Sequence, residues 1–430
     1  MASKQHSDKL KKDFEKPSEG KGKQATYRST AAISNNLQRL RSIVESANLN
    51  FLVGAGTSNG FFPMLGNIEE SLTELADEEI SENAKALVRA SIQAYFFNEV
   101  ISPNLKILKG DLSGLNQAET EALQSYKNFV RTLNRILLLR RNSILSKQVN
   151  IFTTNIDMLF EVAMEETGVE YSDGFNGKIK PKFDLGDFGT LRFRTSARYD
   201  NRFEVPVFNL VKIHGSAAWY QCEGENVTEI YFDHGLTLVS KIEEQLEAAQ
   251  GYLLNVLESS QNIENFPVIK SVGTLVSEAE QKIANNKMPN EVEEFAETYN
   301  KLGIINPDKR KFATTVLNET YYELIRRFAN ELEKENSVLF VHGFSFRDEH
   351  IRDIVLRAAR TNPTLQVIVF CYNVKAREDY EKILLETQIK NGNIDFVVPP
   401  ESCTDEAEPN ISLAVLEHDY FTPIIADKLA

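Results

Sequence analysis

The chain has 430 residues, 42% of them hydrophobic with 26 Phe and 14 Tyr, and carries a formal net charge of −14. That length holds two or three average domains, or one large domain with insertions, and the apolar content supports a sizeable core. The negative charge argues against broad binding to nucleic acid through phosphate contacts. No direct nucleic-acid partner is expected, and the basic stretch Leu139–Lys147 reads as a solvated helix end. The three cysteines, Cys222, Cys371 and Cys403, include no C-x-x-C pair and cannot supply a four-thiolate zinc site. No metal is therefore expected, and the sparse, odd count suits a reducing cytoplasm. No run of ~18 apolar residues offers a membrane span.

In chain order, residues 1–30 are charged and lack an apolar h-region, so they read as a disordered tail and not a secretory signal. The remainder, 31–430, reads as one domain with helical insertions at about 67–145 and 222–307. Ile33, Leu37, Leu40 and Val44 have helical spacing and precede Asn48, a helix stop. Asn50–Val53 is a short apolar strand. Leu123, Tyr126, Val130, Leu133 and Leu137 mark one face of a long helix, and Val88, Ile92 and Phe96 the face of another.

Val149–Thr153 is the next strand, followed by a helix from Asp157 to about Glu166 with Gly168 as its C′ residue. Phe175–Phe203 reads as loops or hairpins, and Val207–Ile213 as a strand. Helical stretches are expected near Lys241–Leu257, Leu275–Leu302 and Leu317–Leu332. Ser337–His342, a helix near Glu349–Arg360, and Gln366–Cys371 complete an alternation of strand, helix and strand. That order predicts an α/β fold built on a doubly wound, Rossmann-like parallel sheet.

Four polar motifs follow these strands: GAGTS from Gly54, TTNID from Thr153, KIHGS from Lys212 and HGFSFRDEH from His342. In an open parallel sheet, the carboxyl ends of strands line a shared ligand crevice. Glycines let a backbone approach a pyrophosphate where a strand opens into a helix, although the G-x-G-x-x-x-G spacing here also fits a tight turn. Asn155 and Asp157 suit helix capping as well as ligand contact. His214, ending an apolar strand beside Gly215, reads as a catalytic imidazole or a satisfied structural one. His342 has the same two readings, and Arg347 to His350 cap the following helix.

Taken together and in this order, the motifs resemble the sirtuin-like NAD-binding family, in particular its bacterial antiviral-defence branch, over roughly Asn50 to Asn373. The resemblance implies that Gly54, Ala55, Gly56 and Ser58 bind the NAD pyrophosphate. Asn155 and Asp157 would line the nicotinamide and ribose pocket, and His214 would contact the nicotinamide ribose. Gly343 and Ser345 would reach the phosphate or adenosine ribose and Asn373 the adenosine, with Thr57, Thr154 and Gly215 completing the set. Protein-deacylating sirtuins resemble one another in a four-cysteine zinc ribbon and a Pro-Asp-Phe-Arg stretch after the glycines. This chain has neither, carrying Asn59-Gly60-Phe61-Phe62-Pro63 there instead.

The resemblance thus implies an NAD glycohydrolase that splits the nicotinamide–ribose bond as an NAD-depleting effector of anti-phage defence. Asn155, His214 and Asp157 are its expected catalytic residues and NAD its substrate. The alternatives are an NAD-dependent protein deacylase and a non-catalytic sensor of NAD or ADP-ribose; the glycine spacing disfavours a dehydrogenase. Too few residues follow Asn373 for an average regulatory domain. Control is therefore expected from homo-oligomerisation or, by resemblance, from a HerA-type ring ATPase.

Overall fold

Strand formation along the chain follows the apolar runs. The structure, a computed structural model, describes residues 37–65, 68–78, 80–108, 114–142, 144–223, 228–258, 267–283, 287–305, 319–385, 389–400 and 409–429. The expected tail 1–30, Ile33, Leu317 and Cys403 lie outside the described residues. The strands are β1 Asn48–Val53, β2 Gln148–Thr153, β3 Glu170–Ser172, β4 Phe175–Asn176 and β5 Lys182–Phe183. They continue with β6 Arg192–Thr195, β7 Arg202–Val205, β8 Val207–Lys212, β9 Gly215–Glu223 and β10 Thr228–Phe232. The last are β11 Leu302–Ile304, β12 Ser337–His342, β13 Gln366–Phe370 and β14 Ile394–Val397.

Seven strands form a wholly parallel sheet in the order β14-β13-β12-β1-β2-β8-β3. The α/β, doubly wound, Rossmann-like expectation therefore holds. Side chains alternate between two cores. Leu52, Phe152, Val211 and Val341 face one, and Phe51, Ile151, Leu210 and Phe340 the other. The helix Gln117–Leu139 covers the second core with the anticipated stripe of Leu123, Tyr126, Val130, Leu133 and Leu137. Its start is fixed by an Asn116/Glu119 capping box. Helices Glu82–Phe96, Glu319–Glu333 and Glu349–Thr361 lie over the first core. Among the described residues, no helix is long and apolar enough to cross a membrane.

Three sheet strands carry an asparagine at their third position, and the register sets these residues side by side: Asn50 opposite Asn150, and Asn150 opposite Asn209. All three are buried. Asn209 Nδ2 donates to Asn150 Oδ1 at 2.9 Å, and Asn150 Nδ2 to Asn50 Oδ1 at 2.8 Å. Asn50 Nδ2 donates in turn to the Val338 carbonyl of β12 at 3.2 Å. A slip of one residue would send every one of these amides to the opposite face, so the ladder locks β12, β1, β2 and β8 in register.

The insertion after Cys222 departs from the expected helical make-up. It joins β9, β10 and β11 to β4 and β5 in a five-stranded second sheet, ordered β11-β9-β10-β5-β4. Pairing across this hairpin buries Trp219 against Phe175 and Phe183, a gain that local helical spacing does not report. The helix expected at Lys241–Leu257 is Thr237–Ala249, and the stretch Leu275–Leu302 divides into Val272–Lys282 and Asn290–Tyr299, with Pro289 at the second start. β6 and β7 form a separate two-stranded hairpin at the amino end of β8.

Replacing Asn150 by Leu leaves Asn50 Oδ1 and Asn209 Nδ2 buried without the partner that Asn150 supplies to each. The expected loss of stability is about 2–5 kcal/mol, read as a lower denaturant midpoint with an unchanged m-value.

Candidate functional site

The sheet order places β12, β1, β2 and β8 next to one another, all parallel. These are the strands that precede the four motifs, so all four emerge along one edge. The chain runs outward from β1 to β2 and β8, then returns to place β12 on the other side of β1. That reversal makes the β1/β12 boundary the topological switch point, where open α/β sheets bind ligands.

At that boundary two loops interlock. A Cβ on Gly54 would stand 2.5 Å from the Gly343 carbonyl oxygen, and one on Gly56 3.1 Å from it. Gly343 itself adopts φ +65°, where a side chain is strained, and a Cβ there would overlap the Thr57 amide. The glycine segment does not open directly into an α-helix as expected. It closes as a 3₁₀ turn, Ala55–Ser58, and the next α-helix starts at Ile68. The amides of Gly54 and Gly56 are spent on His342 and Gly343 carbonyls, and that of Thr57 on Gly54. Interlocking of the loops thus takes up donors that a helix N-terminus would have offered to phosphate. Ala55 is exposed and Gly56 half-buried, so this turn keeps one accessible side.

His342 is a core residue. Its Nε2–H donates to the Ile411 carbonyl at 3.1 Å and its Nδ1 accepts from Thr57 Oγ1 at 2.8 Å. Burial lowers its pKa to about 4.

At the end of β2, Asn155 and Asp157 are buried in one network with Ser58 and Tyr126. Asn155 Nδ2 donates to Ser58 Oγ at 2.7 Å and to the Gly54 carbonyl at 3.2 Å. Ser58 Oγ donates to Asp157 Oδ2 at 3.1 Å and lies 3.3 Å from the Tyr126 hydroxyl. Asn155 Oδ1 is buried and has no hydrogen-bond partner among the described residues. Asp157 departs from its expected ligand-facing role. Its second oxygen accepts from the Leu159 amide at 3.1 Å, so both oxygens serve the protein. Burial raises its pKa, and the Lys212 cation partly offsets that rise. Asp157 acts here as a positioning residue.

Beneath this network Lys212, the polar end of β8, is fully buried. Its Nζ donates to the Asp157 carbonyl and to Glu161 Oε1, the latter at 2.8 Å. The ammonium therefore pins the backbone that carries Asn155 and Asp157, and it neutralises a buried carboxylate whose pKa burial raises.

The end of β8 is stitched to that of β2. The Ile213 amide donates to the Thr153 carbonyl at 2.9 Å, and the Ala217 amide to the Ile156 carbonyl at 2.8 Å. His214 and Gly215 lie between these two bonds. Gly215, at φ +81°, presses on the Gly303 backbone of β11 and lets the chain swing directly into β9. His214 is mostly buried, and its Nε2 lies 3.2 Å from Asp348 Oδ2. Asp348 also caps the helix Glu349–Thr361 through Oδ1, which accepts from the Ile351 amide at 3.3 Å. One carboxylate therefore ties the β12 motif to the β8 motif.

The structure thus gathers Gly54, Gly56, Thr57, Ser58, Asn155, Asp157 and Gly343 into one bonded cluster, with Thr154, His214 and Gly215 on the adjoining strand ends. Ser345 is exposed on the β12 loop, and Asn373 caps the helix Val374–Leu385 by accepting from the Ala376 amide at 2.9 Å. Sequence reasoning missed the roles of Tyr126, Glu161, Lys212 and Asp348. A lysine inside an apolar strand was a usable signal for Lys212, whereas nothing local marked Asp348 as more than a cap. A hollow of about 530 Å³ lies elsewhere, between the helices Glu82–Phe96 and Thr237–Ala249. Comparison with protein-family models and with curated proteins yields no match for this sequence.

The unfolded chain protonates His342 near its ordinary value of 6.5, while the folded chain resists down to about 4. This residue therefore costs nothing above the unfolded value and lowers stability as pH falls through that window, by roughly 3 kcal/mol in all. Urea unfolding at pH 7 and pH 5 should show a smaller pH-dependent loss for His342→Gln than for the parent chain.

Proposed function

We propose that the chain is an NAD glycohydrolase, hydrolysing the bond between nicotinamide and ribose. The observation that carries this reading is Asn155: its amide nitrogen is anchored by Gly54 and Ser58, and its buried Oδ1, at the carboxyl end of β2, has no partner among the described residues. His214, at the end of β8 next to β2, is paired with Asp348 from the β12 loop and supplies a base. An orphaned acceptor suits a ribose hydroxyl or an attacking water, and the accessible side of the Ala55–Gly56 turn suits the pyrophosphate.

In this reading water attacks C1′ of the nicotinamide ribose and the C1′–N1 bond breaks, its electron pair leaving with nicotinamide. Nicotinamide in NAD is cationic, so departure needs no general acid. The water proton passes to His214. Asp348 accepts from Nε2–H, which places the neutral ring's lone pair on Nδ1 and stabilises the imidazolium as it forms. Asn155 Oδ1 orients the water or a ribose hydroxyl, and Asp157 holds Ser58 and hence Asn155. The products are nicotinamide, ADP-ribose and a proton. The reading carries with it a cytoplasmic, NAD-depleting role in anti-phage defence, governed by self-assembly or a HerA-type ATPase.

The test is NAD consumption by the purified chain, alone and with a HerA-type ATPase, with products identified by mass. Asn155→Ala and His214→Ala should each lower turnover about 10²-fold or more while melting cooperatively. Asp348→Asn keeps a good helix cap but removes the charge behind His214, and should cost a similar factor. Full activity in the Asn155 or His214 variant overturns the assignment. Nicotinamide release that depends on an acylated peptide would make the chain a deacylase. Thermal protection by NAD that stays intact would make it a sensor.

A further inference from the structure

The β6–β7 hairpin carries an unusual surface for so acidic a chain. Between Leu191 and Phe203 it carries four arginines, one aspartate and no lysine, in a chain of net charge −14. Phe193 is 52% exposed and Tyr199 70% exposed, and Phe203 is also open to solvent. The two strands pair only with each other, and two-stranded ribbons are marginal without a covering layer. Arg192 and Arg194 reach Glu170, whereas Arg198 and Arg202 make no ion pair among the described residues. The adjoining loop extends the patch. The Lys147 backbone amide donates to Glu204 Oε1 while its ammonium lies over the Phe203 ring, and Ile144 is 92% exposed. Arginine and aromatic residues are the side chains enriched at protein interfaces.

A complementary surface exists on the same chain. Helices Thr237–Ala249 and Asn290–Tyr299 pack against each other and carry seven glutamates against one lysine. Glu244, Glu247, Glu293, Glu294 and Glu297 are exposed, and none forms an ion pair among the described residues. The hairpin enters the amino end of β8, while these helices belong to the lobe that begins with β9, past the carboxyl end of β8. The two surfaces therefore lie toward opposite ends of the parallel sheet, so a contact between them would have to join two copies of the chain.

We propose that the β6–β7 hairpin docks on the acidic two-helix face of a second copy of this chain, joining copies head to tail. Opposite charges steer the encounter and fix its register, while Phe193 and Tyr199 supply apolar burial. A heterologous contact of this kind closes into a ring or extends as a filament, depending on the rotation between copies. It does not depend on the activity proposed above.

The test is sedimentation of the full chain at low and high salt with paired charge reversals. The parent should form species larger than one chain, weakened by salt. Arg198→Glu with Arg202→Glu, and separately Glu293→Arg with Glu297→Arg, should each weaken association about tenfold or more. Mixing the two variants juxtaposes opposite charges at every contact and should restore assembly between them, a recovery that misfolding cannot produce. A parent that stays at single-chain mass, or variants that assemble like the parent, overturns the proposal. So does a mixture that fails to recover. Retention of a single-stranded oligonucleotide that the hairpin reversal abolishes, with no parent self-association, would assign the hairpin to nucleic acid instead.

Discussion

The rest of the structure depends on one row of buried amides. Asn50, Asn150 and Asn209 bond across β1, β2 and β8 and reach the backbone of β12. Parallel strands buried on both faces are apolar nearly throughout, so hydrophobic burial alone discriminates weakly between registers. A polar ladder discriminates strongly, because a displaced amide loses its partners in a medium where each loss costs about 1–3 kcal/mol. The strands it locks are those whose ends carry the four motifs. Aligning β12, β1, β2 and β8 brings Gly343 against Gly54 and Gly56, and it sets His214 beside the turn that holds Asn155.

Above that ladder, the site is built from interlocking and buried charge more than from an open cavity. Gly54, Gly56 and Gly343 let two backbones occupy space that side chains would deny them. Lys212 and Glu161 set a fixed ion pair under the Asp157 carbonyl. Such a pair adds little net stability over an apolar substitute but strongly penalises any rearrangement that separates it. Its effect is to hold the turn from Thr153 to Leu159 in one conformation, which is what an oriented Asn155 requires.

Five of the sheet's seven strands were legible because they are short apolar runs separated by strong helical stripes, and β12 is found with the bounds read from sequence, whereas the short edge strands β3 and β14 were not read. The second sheet was not legible. Its stability comes from Trp219, Phe175 and Phe183 meeting across segments far apart in sequence, while β4 and β5 have only two residues each. At the site, the motifs identified which strand ends would matter but not what each side chain would do. Capping and ligand contact use the same residue types: Asp157 accepts from the Leu159 amide just ahead of its helix, and Asp348 both caps a helix and meets His214. The third-position asparagines in NLNFLV, QVNIFT and VFNLVK were in plain view. Asparagine is depleted in strands, and three at the same position form a pattern.

Orphaned polar atoms separate the functional reading from the merely structural one. Within the buried network two acceptors lack hydrogen-bond partners, Asn155 Oδ1 and Glu161 Oε2. The glutamate oxygen belongs to a carboxylate already bonded to Lys212, so its charge is compensated within the core. The asparagine oxygen belongs to a neutral amide whose nitrogen is fully engaged, and no side chain answers it. An unsatisfied acceptor of this kind costs about 1–3 kcal/mol. In the reading proposed above, Asn155 Oδ1 supplies the acceptor for a ribose hydroxyl or water, and His214, one strand end away on β8, supplies the base. Ser58, Asp157 and Lys212 differ from Asn155 in that the described hydrogen bonds engage the polar atoms of each.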